Sequence, residues 1–311
     1  MNFAAVFPGQ GSQSLGMMND LSASHPSIKE TFAEASDILD RDLWEIVTDG
    51  PESLLSQTQT TQPLMLVAGV ATWRLWLSQG GPLPSAMAGH SLGEYSALVA
   101  SGAIDFATAV SLVAKRAHLM QQAVPDGVGG MAAILGLAPE QVIEGCAKAS
   151  GKQIVEAVNF NSPEQTVIGG HSDAVDRAML ILDEMGAKRT IKLAMSVPSH
   201  CSLLKEIATE MAEALAAASF QGAKVPVYHN VSASPSNSEQ ASRKAVAEQL
   251  YRPVRWVETI QALELQGAGT IIEFGPGKVL FGLNRRINKK LGNYTINDTA
   301  SFDKALAATQ G

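Results

Sequence analysis

The chain has 311 residues, of which 46% are hydrophobic and 17% charged, and its formal net charge is −7. This is the composition of an ordinary soluble globular protein, and the length allows one large domain or two modest ones. The negative charge argues against a general nucleic-acid binder, and no apolar run reaches the ~18 residues that would predict a membrane span.

The cysteine content and the first residues bear on the compartment. Cys146 and Cys201 are too few for a disulfide framework and lack the spacing of metal ligands. The first eight residues lack the basic region that begins a signal peptide. We therefore expect a cytoplasmic protein in a reducing environment.

The first predicted element is a buried strand over residues 3–7, which leads into the glycine-rich loop 8–13. This loop matches neither of two phosphate-binding motifs. Ser14 stands where a dinucleotide fingerprint has its third glycine, and Met17-Met18 stand where a P-loop has Lys-Ser/Thr. Nucleotide binding is therefore not expected.

Two helices are predicted next. Residues 26–48 place Ile28, Phe32 and other apolar side chains on one face, which indicates an amphipathic helix. Residues 63–79 are apolar on most sides and predict a helix that is largely buried. Gly80-Gly81-Pro82 ends this helix.

Gly89-His90-Ser91-Leu92-Gly93 matches the Gly-x-Ser-x-Gly nucleophile elbow, in which a serine stands on a tight turn between a strand and a helix. The context agrees, because a short apolar run precedes the motif and a helical pattern follows it as far as Gly102. The motif predicts Ser91 as a nucleophile at a helix N-terminus. The alternative is a glycine- and serine-rich turn without chemistry.

Arg116 lies in the next predicted helix, which begins after Asp105 as its N-cap. At 3.6 residues per turn this arginine falls beside Leu112 and Met120, within the apolar flank, whereas Lys115 faces solvent. A guanidinium among apolar groups needs an anionic partner or carbonyl oxygens. Two interpretations stay open: a structural ion pair with a core carboxylate, and a receptor for an anionic substrate.

From about residue 124 the pattern changes. A hinge-like linker, 127–130, precedes strands and helices in the order β-α-β-β-α-β, which is typical of a ferredoxin-like unit. The predicted strands are 131–137, 154–160, 165–169 and 188–195, and the predicted helices are 140–149 and 173–185. We expect an inserted ferredoxin-like lobe over 125–196 and a large α/β-hydrolase-like lobe from 1–124 and 197–311. The cleft between them is the expected substrate site.

After this insert, residues 196–202 predict the start of a helix with His200 in its first turn. A strand over 225–229, a polar loop and a helix over 258–265 follow. Residues 270–274 are predicted as the last buried strand, before a helix over 278–287. Outside the insert, strands alternate with helices, which predicts a parallel sheet covered on both faces.

A serine hydroxyl needs a base, and histidine is the usual one. Among six histidines, His200 is the best candidate by position and His229 the second, while the side chain of His90 should point away from Ser91. No acidic residue between Ser91 and His200 stands out as the third member of a triad, which counts against an ordinary esterase.

Several motifs occur in order and at suitable spacing along the chain. They are Pro8-Gly9-Gln10-Gly11-Ser12-Gln13, Gly89-His90-Ser91-Leu92-Gly93-Glu94-Tyr95, the helix with Lys115-Arg116, Val197-Pro198-Ser199-His200 and Phe274-Gly275-Pro276-Gly277. Together they resemble the bacterial malonyl-CoA:acyl carrier protein transacylases of fatty-acid synthesis. The resemblance covers essentially the whole chain.

The resemblance implies the following catalytic roles. Ser91 is similar to the family's nucleophile, His200 to its base and Arg116 to the arginine that binds the malonyl carboxylate. Gln249 lies where the family has a glutamine near the histidine. There a main-chain carbonyl orients the imidazole, which would explain the missing acid.

Further residues resemble parts of the family's pocket. Gln10 and Leu92 are similar to the residues whose backbone N–H groups form the oxyanion hole. Met120, Asn161 and Ser199 are similar to pocket-lining positions.

The resemblance also implies the reaction. Ser91 would take the malonyl group from malonyl-CoA, release coenzyme A and pass the group to the phosphopantetheine thiol of acyl carrier protein, without a metal or redox cofactor. Two rival functions are a serine hydrolase or thioesterase acting on acyl-CoA, and an acyl-CoA-binding protein without catalysis.

Basic residues are expected to dock the acidic carrier protein on a monomeric enzyme. The candidates are Arg285, Arg286, Lys289 and Lys290, together with Lys188 and Arg189. The alternative is that the first group is a solvated basic helix end without a partner.

Overall fold

The computed structural model describes residues 2–125, 127–195 and 197–310. Its strands are β1 (Phe3–Phe7), β2 (Ala86–Gly89), β3 (Gly129–Leu135), β4 (Val155–Ser162), β5 (Gln165–His171), β6 (Arg189–Lys192), β7 (Val227–His229), β8 (Ser234–Pro235), β9 (Thr270–Phe274) and β10 (Gly292–Ile296). Its helices are α1 (Asn19–Ser24), α2 (Ser27–Leu39), α3 (Leu43–Asp49), α4 (Glu52–Leu55), α5 (Thr58–Ser78), α6 (Gly93–Ala100), α7 (Phe106–Ala123), α8 (Pro139–Ser150), α9 (Ser172–Glu184), α10 (Ile207–Ala217), α11 (Glu239–Glu248), α12 (Trp256–Leu265), α13 (Val279–Ile287) and α14 (Thr299–Gln310).

The large sheet has the strand order β10-β9-β1-β2-β7-β8, and its first five strands run parallel. The central strand β1 is buried along its whole length. Because side chains alternate along a strand, Phe3, Ala5 and Phe7 pack into the core on one face. Ala4 and Val6 pack into a separate core on the other face. The predicted parallel sheet with both faces covered is confirmed.

The helices over the first 80 residues differ from the prediction in their limits. The pattern 26–48 is divided into α2 and α3, because Asp40 adopts a left-handed conformation with φ 49° and Asp42 caps the second helix through Glu45 N–H at 2.9 Å. The buried helix α5 begins at Thr58, five residues before the predicted start at Pro63.

The smaller sheet is antiparallel and has the strand order β4-β5-β3-β6, with α8 and α9 packed on one face. This is the strand order of the ferredoxin-like pattern, so the predicted fold class is confirmed. The hinge expected at 127–130 is partly wrong, because Gly129 and Gly130 belong to β3 and pair with β5. The insert was expected to span residues 125–196. Ser196, its expected last residue, lies outside the described residues, as does Asp126 next to its expected first residue. The division into lobes therefore stays a prediction.

The segment that carries His200 is not the start of a helix, which corrects the prediction. His200 has φ 63°, and its backbone N–H donates to the carbonyl of Leu250 at 2.8 Å. Two residues later the N–H of Ser202 donates to the carboxylate of Glu156 at 2.9 Å. The backbone donors of His200 and Ser202 therefore have partners distant in sequence, a single 3-10 turn over Ser202–Leu204 follows, and the regular helix α10 begins at Ile207.

The C-terminal part contains elements that the sequence reasoning missed. β9 is not the last strand, because β10 pairs in parallel with it along five residues at the edge of the sheet. Helix α14 then follows and packs beside β10. The strand β10 was missed because it is a partly exposed stretch without alternation. None of the described helices is both long and apolar enough to cross a membrane.

Candidate active site

Ser91 stands on the sharp turn between β2 and α6. Its φ is 51°, in the left-handed region that a non-glycine residue adopts at an energetic cost. The two motif glycines are sterically required, since a Cβ on Gly93 would lie 2.0 Å from the carbonyl oxygen of Phe7 and one on Gly89 would lie 1.9 Å from the carbonyl carbon of Gly93. The turn therefore depends on both glycines.

The side chain of Asn230, the residue after the adjacent strand β7, bridges the turn. Its Oδ1 accepts a hydrogen bond from the N–H of Ser91 at 2.7 Å, and its Nδ2 donates to the carbonyl of Gly89 at 2.6 Å. Asn230 is fully buried. These two bonds hold the residues on either side of His90 at a fixed separation, which stabilises the strained backbone of Ser91.

His200 reaches Ser91 across the site. Its Nε2 lies 2.7 Å from the Oγ of Ser91, and its Nδ1 lies 2.6 Å from the main-chain carbonyl oxygen of Gln249. The carbonyl can only accept, so Nδ1 carries the proton and Nε2 is free to accept the serine proton. Burial, assisted by the positive charge of Arg116, lowers the pKa of His200 to about 3. The ring is therefore a neutral base.

Arg116 is 1% exposed and faces the same serine. Its Nη1 donates to Oε1 of Gln62 at 2.5 Å, and its Nη2 donates to Oε1 of Gln249 at 3.1 Å and to the Oγ of Ser91 at 3.4 Å. Within residues 2–125, 127–195 and 197–310 no carboxylate forms an ion pair with it. The structural ion pair considered for Arg116 is thus not observed in the described part of the chain.

A cavity of about 150 Å³ lies between the two sheets, and Ser91, His200 and Arg116 all line it. The predicted pocket residues Gln10, Met120, Asn161 and Ser199 line it as well, as does Leu92. Burial lowers the pKa of His90, whose ring nitrogen lies 2.7 Å from the Oδ1 of Asn161, away from Ser91 as expected. Every predicted site residue is thus at this cavity except Gln249, which lies fully buried behind Arg116.

The loop after β1 packs against the elbow. An added Cβ on Gly9 would lie 2.5 Å from the carbonyl oxygen of His90 and 3.6 Å from the backbone nitrogen of Leu92. Within the described residues, neither the N–H of Gln10 nor that of Leu92 has a hydrogen-bond acceptor. In the described part of the chain these two backbone donors are therefore available, and both residues line the cavity.

Sequence reasoning missed three buried polar residues of the site: Gln62, which lines the cavity, and Glu94 and Asn230, which lie behind it. A signal existed for one of them. Glu94 is a charged residue in the first turn of an apolar helix, whereas Gln62 ends a polar stretch, 58–62, that gives no sign of burial. His229, the second candidate base, does not approach Ser91; its Nδ1 is 2.7 Å from the carboxylate of Glu94.

The residues predicted to dock a carrier protein lie apart from these buried groups. Arg285, Arg286, Lys289, Lys290, Lys188 and Arg189 are all exposed. Lys188 pairs with Glu164 at 3.2 Å on the surface.

Among the described residues, no three His, Cys, Asp or Glu side chains are grouped as metal ligands.

The fold and the site define an α/β protein with a serine at a nucleophile elbow, a neutral histidine base and a buried arginine at the same cavity. Residues 5–291 match the model of the acyl transferase domain family, and the chain belongs to this family. The resemblance to malonyl-CoA:acyl carrier protein transacylases is confirmed by relatives that align over nearly the whole chain.

Three relatives illustrate this similarity. The malonyl CoA-acyl carrier protein transacylase of Escherichia coli (strain K12) is 49% identical over 304 residues, which cover 98% of each chain. The structure of the transacylase of that name from Coxiella burnetii has a TM-score of 0.98 at 46% identity, covering 100% of this chain and 98% of that one. A malonyl-transacylase solved in complex with its type II PKS acyl-carrier protein has a TM-score of 0.98 at 50% identity, covering 99% and 100%.

Proposed function

We propose that the protein transfers a malonyl group from malonyl-CoA to the phosphopantetheine thiol of acyl carrier protein through a malonyl ester on Ser91. The observation that carries the proposal is the arrangement of Ser91 between a neutral base 2.7 Å away and a buried guanidinium 3.4 Å away. The choice of substrates is supported by the 49% sequence identity, over 98% of the chain, to a malonyl CoA-acyl carrier protein transacylase.

In the first half-reaction His200 Nε2 removes the proton from Ser91 Oγ as the oxygen attacks the thioester carbonyl. The tetrahedral oxyanion is bound by the N–H groups of Gln10 and Leu92, a pair in which each donor contributes ~10²–10³ in rate. Collapse expels coenzyme A as the thiol, which takes the proton from His200, and leaves malonyl-Ser91.

In the second half-reaction the same groups act in the opposite sense. The carrier-protein thiol gives its proton to His200 and attacks the ester carbonyl, and the oxyanion is bound as before. His200 then returns the proton to Ser91 Oγ as the leaving group. The free serine and malonyl thioester of the carrier protein result.

Arg116 selects the acyl group. A malonyl carboxylate pairs with the guanidinium in a charge-assisted contact, for which the fork of two N–H groups is suited. An acetyl group leaves the buried guanidinium without an anion, which disfavours acetyl-CoA. Met120, Asn161 and Ser199 are the proposed walls of the acyl pocket.

The carrier protein is proposed to bind as an acidic partner at Arg285, Arg286 and Lys289 or at Lys188 and Arg189. The relative solved with its acyl-carrier protein supports such a partner for this chain. A monomeric state and a cytoplasmic location complete the proposal, the latter supported by Cys146 and Cys201 being free and buried.

Intact-mass measurement after mixing with malonyl-CoA tests the proposal. We expect a malonyl adduct on the wild-type protein, its disappearance on addition of carrier protein, and no adduct on the Ser91→Ala variant. Rapid release of free malonate without an acceptor would instead identify a thioesterase. Binding of malonyl-CoA without any adduct would identify a non-catalytic protein.

A further inference from the structure

Glu94 is a buried carboxylate that the proposed mechanism does not use. It is fully buried in the first turn of α6, three residues after the nucleophile, and does not line the substrate cavity. Three donors bind it: Nδ1 of His229 at 2.7 Å, Nε2 of Gln249 at 2.8 Å and the N–H of Asn230 at 3.1 Å. These donors satisfy the carboxylate oxygens, as a buried polar group requires.

Gln249 connects this carboxylate to Arg116. Its Nε2 donates to Glu94 and also to the carbonyl of Ser91 at 2.9 Å, so its Oε1 must face the other way. That oxygen accepts from Nη2 of Arg116 at 3.1 Å. One amide group therefore separates the guanidinium from the carboxylate, and the carboxylate together with the Ser91 carbonyl determines which end of the amide the guanidinium meets.

A buried guanidinium and a buried carboxylate lie on the two sides of the Gln249 amide. Arg116 has no carboxylate in direct contact within the described residues, yet an isolated buried cation is energetically costly. Glu94 is a buried carboxylate one amide group away from it, and His229 meets that carboxylate through Nδ1. Burial lowers the pKa of Arg116, and the charge of Glu94 is among the influences that oppose this.

We propose that Glu94 is the countercharge of Arg116 in the substrate-free enzyme, held one amide group away so that the guanidinium stays free for the acyl carboxylate. The inference rests on the proposed function, because it assumes that Arg116 receives this carboxylate. Glu94 is then a positioning residue that acts through Gln249. Its charge repels the substrate carboxylate and so moderates the hold on the malonyl group, which must leave at every turnover.

The test removes this charge with little change of shape. In Glu94→Gln the amide oxygen can accept from Gln249 and Asn230, while the amide nitrogen donates to the other tautomer of His229. Glu94→Gln is made on a Ser91→Ala background, where no ester forms and binding is measured directly. Calorimetry then gives Kd for malonyl-CoA and for acetyl-CoA at pH 8.

We expect Glu94→Gln to bind malonyl-CoA about tenfold more tightly and acetyl-CoA within about twofold of its parent, because a like charge within roughly 8 Å is removed at intermediate dielectric. A damaged site would bind both ligands less tightly, so a gain confined to the malonyl ligand cannot come from misfolding. An unchanged or weaker Kd for malonyl-CoA, or an equal change for both ligands, would overturn the proposal.

Glu273→Gln on the same background is the matched control. Glu273 is also fully buried, but it binds the backbone N–H groups of Leu280 and Phe281 at 3.1 and 2.8 Å. We expect it to leave the preference for malonyl-CoA within twofold. If the Ser91→Ala parent itself shows no preference for malonyl-CoA, then the assignment of Arg116 in the proposed function is wrong; a preference that Glu94→Gln does not increase refutes this inference alone.

Discussion

His200 illustrates how burial prepares a single side chain for its role. The ring is 2% exposed and its Nδ1 donates to a neutral carbonyl, where a hydrolase triad would have a carboxylate. A carbonyl fixes the tautomer but adds no negative charge that would stabilise the imidazolium. Burial and the nearby Arg116 therefore keep the base in its uncharged form, although the hydrogen bond to the carbonyl of Gln249 opposes the lowering of its pKa.

The depressed pKa of His200 predicts the pH dependence of acylation. Because the pKa lies at about 3 in the free protein, the base stays unprotonated through the weakly acidic range. We expect kcat/KM for malonyl-CoA, which reports the free enzyme, to show no fall from loss of this base between pH 8 and about pH 5. Rapid-quench measurement of malonyl-Ser91 formation checks this, and a tenfold loss per pH unit below about 6.5 would contradict it.

Arg116 gives a prediction about selectivity. In Arg116→Ala we expect malonyl transfer to fall by about 10²–10³, since a charge-assisted contact with the carboxylate is lost. Acetyl transfer should be retained or rise, because no guanidinium is left unpaired beside the acetyl group. Arg116→Lys keeps the charge without the fork and should give intermediate selectivity. Competition between the two thioesters measures the ratio, and an unchanged ratio in Arg116→Ala would locate the carboxylate receptor elsewhere.

At the scale of elements, β1, β2 and α6 meet so closely at the elbow that side chains are excluded. Gly93 lies against the backbone of Phe7, and Gly9 lies against that of His90. The glycines are therefore required for close contacts between backbone segments as well as for the dihedral angles of one turn.

Substitution of Gly93 by alanine tests this contact. The added Cβ would lie 2.0 Å from the carbonyl oxygen of Phe7, and neither backbone segment can move without disturbing the sheet. We expect the free energy of unfolding to fall by about 3 kcal/mol, as in other overpacked cores. Gly222→Ala is the control, because no atom lies within 4 Å of its Cβ position. Urea denaturation compares the two, and equal stabilities would contradict the steric argument.

Glu273 connects β9 to the start of α13 and makes stability depend on pH. Burial raises the pKa of its carboxyl to about 7, although two backbone N–H groups oppose the shift. The unfolded chain loses this proton near pH 4.5 and the folded protein near pH 7, so the folded state binds more protons in this interval.

The stability that comes from Glu273 is therefore present below pH 4.5 and declines as the pH rises to 7. Measured against Glu273→Gln, the free energy of unfolding of the wild type should fall by about 3 kcal/mol across this interval and be level above it. Urea titrations at several pH values give the difference. A difference that is constant or rises with pH would contradict the prediction.

At the scale of the whole molecule, the site is formed where the two sheets meet. The large sheet supplies the elbow through β2, while Met131 and Asn161 of the antiparallel sheet line the opposite wall of the cavity. The net charge of −7 opposes the approach of an acidic partner, so such a partner requires a local basic surface.

Charge reversal tests the proposed docking surface. We expect Arg285→Glu/Arg286→Glu, or Lys188→Glu/Arg189→Glu, to raise KM for the carrier protein about tenfold, with an effect that shrinks as salt is added. Acylation by malonyl-CoA should be unaffected. Lys244→Glu/Lys304→Glu, exposed changes on α11 and α14, lowers the net charge by the same amount and is the control. If neither pair alters the carrier-protein step, docking occurs on another face.

The amino-acid sequence by itself determined the features that depend on neighbouring residues. Five consecutive residues define the elbow, and the helix cap at Asp105 depends on a residue only three positions away. The periodicity of one helix shows that Arg116 lies among apolar side chains. Phe3–Phe7 and Thr270–Phe274 were predicted with the limits that the structure has. These features could be predicted because the physical interactions that set them act within a turn of helix or one strand.

The tertiary structure alone decided how the site is completed. The backbone of His200 was predicted as helical, yet Leu250, 50 positions away, binds its N–H and holds it in a left-handed conformation. Gln62, Glu94 and Asn230 likewise act through contacts with positions far along the chain. A buried hydrogen bond requires a particular partner at about 3 Å, and which partner that is depends on how the sheets pack, not on the residues beside it.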